Sequence, residues 1–188
     1  MKNYKKNLEL LSKNYVYSKE MEHDACGVGV IVSTEGKKSR EIVEHGIEAL
    51  KAVWHRGAVD ADGKTGDGAG IHVEIPKDFF IEKIEVTGHD YDNAEICVGM
   101  IFLPRNDYSA QESCKTIVES ELTKNNFSIY GWRQVPVNPK ILGQKALQTM
   151  PEIIQVLFKS NDQNLLDKNL ERKIYETRKK IEKKAFQL

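Results

Sequence analysis

The chain lacks an excess of charge, a long apolar run and a signal for export. Its 188 residues carry 28 Lys and Arg against 28 Asp and Glu, so its overall field does not favour nucleic acid or an anionic membrane surface as a partner. No stretch approaches the roughly 20 apolar residues that span a bilayer. In residues 1–25 the leucines lie among charges, unlike the apolar run of a secretory signal. We therefore expect a cytoplasmic protein with no nucleic-acid and no membrane partner.

Cysteine is also scarce. The three cysteines, Cys26, Cys97 and Cys114, form no Cys-x-x-Cys pair and no disulfide framework, which suits a reducing compartment. Cys97 falls within a predicted strand and Cys114 on the apolar stripe of a predicted helix. Their spacing is not that of metal ligands, so we expect both to be core residues and no metal site.

The length is sufficient for one domain with a real core and short for two. Helices are too few and too unevenly spaced for a regular alternating parallel sheet, so the pattern predicts an α+β layered domain. Ser39 is a candidate helix cap, and Ser109 begins a capping-box sequence. Strands are predicted at 26–32, 71–75, 95–103, 127–135 and 152–158, and helices from Ser39 to near His55, from Ser109 past Leu122, and over 167–184.

Cys26 opens an apolar segment, CGVGVIV, after a polar leader of 25 residues. If the leader were removed, Cys26 would carry both a thiol and an α-amino group, with ordinary pKa values of about 8.5 and about 7.7–8.0. The amine could then act as the base that activates the thiol. The alternative is a buried cysteine that serves as a small apolar side chain. The pattern leaves both interpretations open.

A glycine-rich loop over 59–70, VDADGKTGDGAG, resembles several ligand-binding motifs. A phosphate-binding loop would need glycine where Ala58 stands. A calcium loop starting at Asp60 would place Lys64, Thr65 and Ile71 at positions that need an oxygen ligand, glycine and glutamate. Both motifs fail, and composition alone indicates a turn rich in residues that tolerate positive φ.

His55 and His72 are candidate bases for a Cys-His pair with Cys26. Nothing in the sequence brings either histidine near Cys26. We expect both to be structural.

The segment from Glu22 to Phe80 closely resembles the start of the glutamine amidotransferase domain of the glutamate synthase large subunit. The resemblance rests on DACGVGVI, GIEALKAVWHRGAVDADGKTGDGAGI and IPKDFF, and continues in IFLPR at 101–105 and IYGWRQVP at 129–136. It implies the four-layered αββα fold of N-terminal-nucleophile hydrolases, truncated at its C-terminal side. It also implies a leader or propeptide at 1–25 and an N-terminal portion of the amidotransferase domain at 26–188.

The resemblance gives Cys26 the role of the catalytic nucleophile and places Arg56 and Gly57 as residues that wall the pocket. The Cys26 thiolate would attack the side-chain amide of L-glutamine, release ammonia and leave a γ-glutamyl thioester that water hydrolyses to glutamate. Without the resemblance, Arg56 could equally form a surface ion pair with Asp60, Asp62 or Asp67.

The resemblance implies no cofactor in this chain. FMN and an iron–sulfur cluster are implied for the full-length enzyme, where ammonia would serve the reductive amination of 2-oxoglutarate. The implied partners are L-glutamine, the remaining glutamate synthase domains and the small subunit.

Two features depart from the family pattern. The chain contains no Asn-Gly dipeptide, the pair that the family uses as oxyanion donors, and the family's later arginine for the glutamine carboxylate is missing, although 167–184 still matches. Two hypotheses therefore remain. One is the glutaminase portion of a glutamate synthase, inactive without the missing residues. The other is a non-catalytic fragment or scaffold, with a possible partner surface on the basic helix 167–184.

Overall fold

The computed structural model describes residues 2–14 and 27–188. These fall into two compact units, one of Met1–Ala58 and Asp67–Ile71 and the other of Val59–Gly66 and His72–Leu188. Across both described stretches, no helix is long and apolar enough to cross a membrane.

The described residues of the first unit form two helices and a short 3-10 turn. Helix α1 spans Lys2–Asn14 and helix α2 spans Arg40–Ala52. The predicted cap of α2 is confirmed, because the Ser39 hydroxyl accepts the Ile42 amide at 3.4 Å. The helix ends earlier than predicted: the chain leaves it at Val53 and continues into a 3-10 turn over Trp54–Arg56.

Two predicted strands are absent from the described residues. Residues 27–32 and 71–75 form neither helix nor strand, and the side chains of Val28, Val30 and Val32 are 90%, 80% and 71% exposed. The apolar pattern predicts strands at both segments, but a strand forms only where a neighbouring strand satisfies its backbone groups. Neither segment has such a neighbour in the part of the chain that the structure describes, so these two predictions were wrong.

The second unit is built on a three-stranded antiparallel sheet. Its strands are β1 (Cys97–Leu103), β2 (Phe127–Gln134) and β3 (Glu152–Ser160), in the order β1-β3-β2. All three were predicted from the sequence to within a few residues. The central strand β3 carries five consecutive buried residues, as expected for a strand covered on both faces.

In the second unit, α3 (Lys77–Val86) packs on part of one face of the sheet, and α4 (Tyr108–Lys124) and α6 (Asp167–Ala185) pack on the other. The unit also contains the six-residue α5 (Gln144–Thr149) and a 3-10 turn at Pro139–Ile141. The predicted helices 109–122 and 167–184 are confirmed. The predicted cap of α4 was wrong by two residues, because the Asp107 carboxylate accepts the Ala110 amide at 2.9 Å and starts the helix at Tyr108.

The core consists of two apolar clusters. On one face of the sheet, α4 and α6 pack against side chains that include Cys97, Val156 and Phe158. On the other face, Phe80 and Ile84 of α3 form a second cluster with Ile96, Tyr130 and Leu157. The architecture is thus a mixed helix and antiparallel sheet fold, as the α+β prediction required.

A β-bulge in β2 shifts the alternation of its side chains between the two clusters. The register with β3 shifts between Ile129 and Gly131, and Gly131 has φ of 152°. A Cβ at Gly131 would lie 2.8 Å from Thr87 Cγ2, so both backbone conformation and space favour glycine. Ile129 and Trp132 are three positions apart and would lie on opposite faces of a regular strand, but the extra residue lets both pack against the α4–α6 cluster, while Tyr130 between them lies in the α3 cluster.

Two lysines of the basic helix α6 contact side chains at the C-terminal end of α4. Lys184 Nζ lies 2.5 Å from Glu121 Oε1, and Lys180 Nζ donates to Asn125 Oδ1 at 2.6 Å. The Glu121 carboxyl is largely buried, and its bond from Lys184 holds its pKa below the usual range. These lysines therefore join two helices rather than forming a free basic surface.

Asp92 links the segment after α3 to the sheet. Its carboxylate forms an ion pair with Lys159 and accepts the Tyr130 hydroxyl at 2.6 Å. The bonds from Lys159 and then Tyr130 lower the pKa of Asp92 to about 2. Desolvation raises the pKa of the Tyr130 hydroxyl, and its bond to Asp92 raises it further.

We expect Asp92→Asn to lower the free energy of unfolding by about 1 kcal/mol at neutral pH, since the carboxylate is half-exposed and its pairing is screened by solvent. Because folding depresses the Asp92 pKa, the stabilisation is present above the unfolded value near pH 4 and is lost as pH falls towards 2. Urea denaturation at pH 7, 4 and 2.5 should therefore show the variant converging on the wild type. Asp90→Asn, an exposed neighbour, should stay within about 0.5 kcal/mol; an equal loss at every pH would contradict the assignment.

Candidate functional site

Of the three residues predicted for the site, the structure describes one fully. Cys26 lies outside the described residues. The backbone of Arg56 closes the 3-10 turn Trp54–Arg56, but its side chain also lies outside them. Gly57 is described, and it is exposed. The structure therefore tests the neighbourhood of Gly57 and leaves the role of Cys26 as a prediction.

The backbone amides of Gly57 and Ala58 donate hydrogen bonds within the chain. The Gly57 N–H donates to the Trp54 carbonyl at 3.0 Å, and the Ala58 N–H donates to Asp67 Oδ2 at 2.8 Å. The Asp67 N–H returns a bond to the Ala58 carbonyl at 3.2 Å. A Cβ at Gly57 would meet Trp54 O at 3.4 Å, an ordinary contact. Both amides therefore already donate a hydrogen bond, and neither is free to bind a developing oxyanion.

The part of the glycine-rich loop that lies in the second unit, Val59–Gly66, is a closed turn and is called the loop from here on. Val59 bridges to Gly66, and the Asp60 N–H donates to the Thr65 carbonyl at 2.7 Å. Inside the loop, Asp62 Oδ1 accepts the amides of Lys64 and Thr65 at 2.9 and 2.7 Å, while Asp62 Oδ2 accepts the Thr65 hydroxyl at 2.6 Å. These bonds, led by that of the Thr65 hydroxyl, hold the pKa of Asp62 well below its usual range.

This geometry explains why the phosphate and calcium motifs fail. A phosphate-binding loop needs backbone amides that point to an external anion, but here the amides of Lys64 and Thr65 are taken by Asp62. Among residues 2–14 and 27–188, no group of three or more His, Cys, Asp and Glu side chains is placed to hold a metal ion. The Asp62 carboxylate and the amides of Lys64 and Thr65 therefore satisfy one another within the loop.

The three carboxylates that could form an ion pair with Arg56 each have another partner. Asp60 pairs with Lys145 at 2.5 Å, Asp62 accepts the bonds within the loop, and Asp67 accepts the Ala58 amide. Arg56 as a residue of the pocket remains a prediction.

His55 and His72 are exposed, and their structural role stays a prediction. The two cysteines predicted to lie in the core differ in their burial. Cys97 is buried in the core cluster, and this burial raises the pKa of its thiol to about 12. Because the thiolate is the reactive form, Cys97 would be inert at neutral pH. Cys114 is half-buried on α4.

Sequence reasoning missed two residues beside the loop. Lys145 pairs with Asp60, and Gly143 is buried where a Cβ would lie 2.5 Å from Asp62 Oδ2 and closer still to Thr65. About 80 positions separate them from the loop, and no local pattern marks an exposed lysine or a glycine before a short helix as its neighbour.

The comparisons with known proteins agree with the motifs. The family model of the class II glutamine amidotransferases matches residues 26–188. The chain is 51% identical over 180 residues to the glutamate synthase [NADPH] large chain of Azospirillum brasilense. It is also 39% identical over 175 residues to the ferredoxin-dependent glutamate synthase of Pyropia yezoensis, and 40% identical over 163 residues to ferredoxin-dependent glutamate synthase 1 of Arabidopsis thaliana.

These alignments cover 96%, 93% and 86% of this chain but only 12%, 11% and 10% of the three relatives. The chain thus corresponds to about an eighth of the length of proteins that carry further parts. Because the family model matches most of its residues, the chain belongs to the class II glutamine amidotransferases.

Proposed function

We propose that this chain supplies the glutaminase portion of a glutamate synthase and releases ammonia from L-glutamine at Cys26. The observation that carries the proposal is the matched range of the family, which begins at Cys26 itself. A match that starts at the one cysteine following a polar leader supports Cys26 as the first residue of the mature domain, with 1–25 as a propeptide and 26–188 as its N-terminal portion.

The chemistry needs a cysteine with a free α-amine. The amine accepts the thiol proton, and Cys26 Sγ attacks the side-chain amide carbon of glutamine. The C–N bond then breaks, and ammonia leaves with the proton that the amine had accepted. Water hydrolyses the γ-glutamyl thioester through the same amine and releases glutamate. The uncleaved chain has an amide nitrogen at this position, which cannot act as a base.

Arg56 and Gly57 would wall the glutamine pocket beside Cys26. An arginine offers a fixed positive charge and a planar fork of donors that matches a carboxylate. Because the amides of Gly57 and Ala58 already donate within the chain, Gly57 would contribute shape rather than an oxyanion bond. The oxyanion donors would come from other residues of the longer protein, in line with the absence of Asn-Gly here.

The complete domain would have the four-layered αββα fold. In the second unit, α4 and α6 cover one face of the sheet. On the opposite face Met100 and Phe102 of β1 are 51% and 64% exposed. An uncovered apolar stretch of this kind on a sheet supports a further layer.

The whole enzyme would use the ammonia for the reductive amination of 2-oxoglutarate. FMN and an iron–sulfur cluster would supply the electron transfer in the remaining glutamate synthase domains, together with a small subunit. Cys26, Arg56 and Gly57 serve only the hydrolysis of glutamine. We also propose a cytoplasmic location, from the balanced charge and the polar leader.

Removal of the leader gives the proposal a direct test. We expect intact-mass analysis and N-terminal sequencing of the active full-length enzyme to show Cys26 as the first residue. A Cys26→Ala variant should retain the leader if processing depends on the thiol. An enzyme that hydrolyses glutamine at full rate while still carrying residues 1–25 would contradict the mechanism, since Cys26 would then have no free amine.

A further inference from the structure

The loop that follows Gly57 is held by a distant segment of the second unit. Lys145 Nζ lies 2.5 Å from Asp60 Oδ2. Gly143 lies directly against the loop, with no room for a Cβ beside Asp62 and Thr65. We call residues 143–145 the loop dock.

The dock and the internal bonds of the loop act on two neighbouring carboxylates. Asp62 accepts the amides of Lys64 and Thr65 and the Thr65 hydroxyl, and Gly143 of the dock lies directly against it. Asp60 is held by Lys145 through one oxygen and accepts the Ala61 amide at 2.5 Å through the other. A loop held at several points retains little freedom along its length.

We propose that Gly143 and Lys145 are positioning residues for glutamine hydrolysis. This inference rests on the proposed function, which places Arg56 and Gly57 at the pocket. Ala58 is the single residue between Gly57 and the start of the loop at Val59. The dock therefore holds the stretch of chain that begins two residues after Gly57.

The ion pair between Lys145 and Asp60 allows an effect on the position of the loop to be distinguished from an effect on folding. The side chains of Lys145 and Asp60 are 67% and 31% exposed, and such pairs add little to global stability. Removing Lys145 should leave the protein folded while the loop loses one of its attachments. Misplacement of a pocket segment weakens substrate binding and catalysis even where the fold survives.

The test compares Lys145→Met with Lys179→Met in the full-length enzyme. Lys179 also forms an exposed ion pair, 2.6 Å from Glu182 on α6, away from the loop. We expect Lys145→Met to raise the KM for glutamine about fivefold, with a smaller change in kcat, whereas Lys179→Met stays within about twofold of wild type. Lys145→Arg should restore most of the loss, because it keeps the charge.

Two further variants show whether the ion pair itself carries the effect. Asp60→Asn should raise the KM as Lys145→Met does, and the double variant should be no worse than either single variant, because all three remove one interaction. Gly143→Ala should lower kcat/KM by at least about tenfold, since its Cβ displaces Asp62 and Thr65. Glutamate formation from added ammonia should be unchanged in every variant, because that reaction bypasses the glutamine site.

The outcomes separate this inference from the proposed function. If Cys26→Ala retains glutamine hydrolysis, the proposed function fails. If Cys26→Ala is inactive but Lys145→Met has the KM of the Lys179→Met control, only the positioning role is overturned. Hydrogen exchange at the amides of Lys64 and Thr65 gives a second measurement: faster exchange in Lys145→Met without a change in KM would also overturn it.

Discussion

Cys26→Ala should lower the release of ammonia from glutamine by roughly 10⁴-fold or more in the full-length enzyme, to near the uncatalysed rate. Loss of a nucleophile removes the covalent path itself, and substitutions of this kind in other acyl-transfer enzymes have effects of that order. Cys26→Ser should be almost as impaired, because a hydroxyl is a far weaker acid than a thiol. Glutamate formation from added ammonia should persist, since it does not pass through the thioester.

The other two cysteines provide matched controls for that result. Cys97 is buried with a pKa raised to about 12, and Cys114 is half-buried on α4. Cys97→Ala and Cys114→Ala should retain a measurable rate of glutamine hydrolysis, with any loss explained by reduced stability. Equal loss in Cys97→Ala and Cys26→Ala at matched folded fractions would show that a core residue had been mistaken for the nucleophile.

The elements predicted correctly are those whose pattern is local. In β3, the mostly apolar segment 152–158 indicated a strand, and the structure buries five consecutive residues there. In α4 and α6, apolar residues at helical spacing indicated the buried stripes, and Leu122 and Leu170 are buried as expected. Each signal lies within a window of about ten residues, which is the range over which periodicity is informative.

The elements missed depend on contacts between distant residues. The segment 27–32 has the composition of a buried strand, but strand formation depends on a partner that its own sequence does not specify. The bulge at Gly131 depends on Thr87, and the dock at Gly143 depends on Asp62 and Thr65. Those pairings arise only when the chain has folded, so no local pattern contains them.

The predictions for the candidate site show the same difference between local signals and distant contacts. Arg56 and Gly57 were named through their resemblance to a family motif, which is a short contiguous string. The motif did not predict their environment, because the Gly57 and Ala58 amides donate hydrogen bonds to Trp54 and Asp67. A motif can thus name the residues of a site, whereas the bonds that those residues form require coordinates.

Leu157→Ala should produce the largest loss of stability among single core truncations in β3. Its side chain is completely buried, and it lies in the middle strand opposite Val98 of β1 and Gly131 of β2. Truncation leaves a cavity in the cluster beneath α3, because neighbours held by two strands and a helix relax little. We expect the free energy of unfolding to fall by about 3 kcal/mol.

Urea denaturation of the 188-residue chain, followed by the fluorescence of the half-buried Trp132, measures this loss. Leu166→Ala makes the same chemical change at a side chain that is 54% exposed at the start of α6, and it should change stability by no more than about 0.5 kcal/mol. The difference between the two variants isolates the cost of the cavity from that of the lost methyl groups in the unfolded chain. A Leu157→Ala protein as stable as Leu166→Ala would mean that the cluster of Phe80, Ile84 and Leu157 does not pack as the structure shows, and that α3 does not close this face of the sheet.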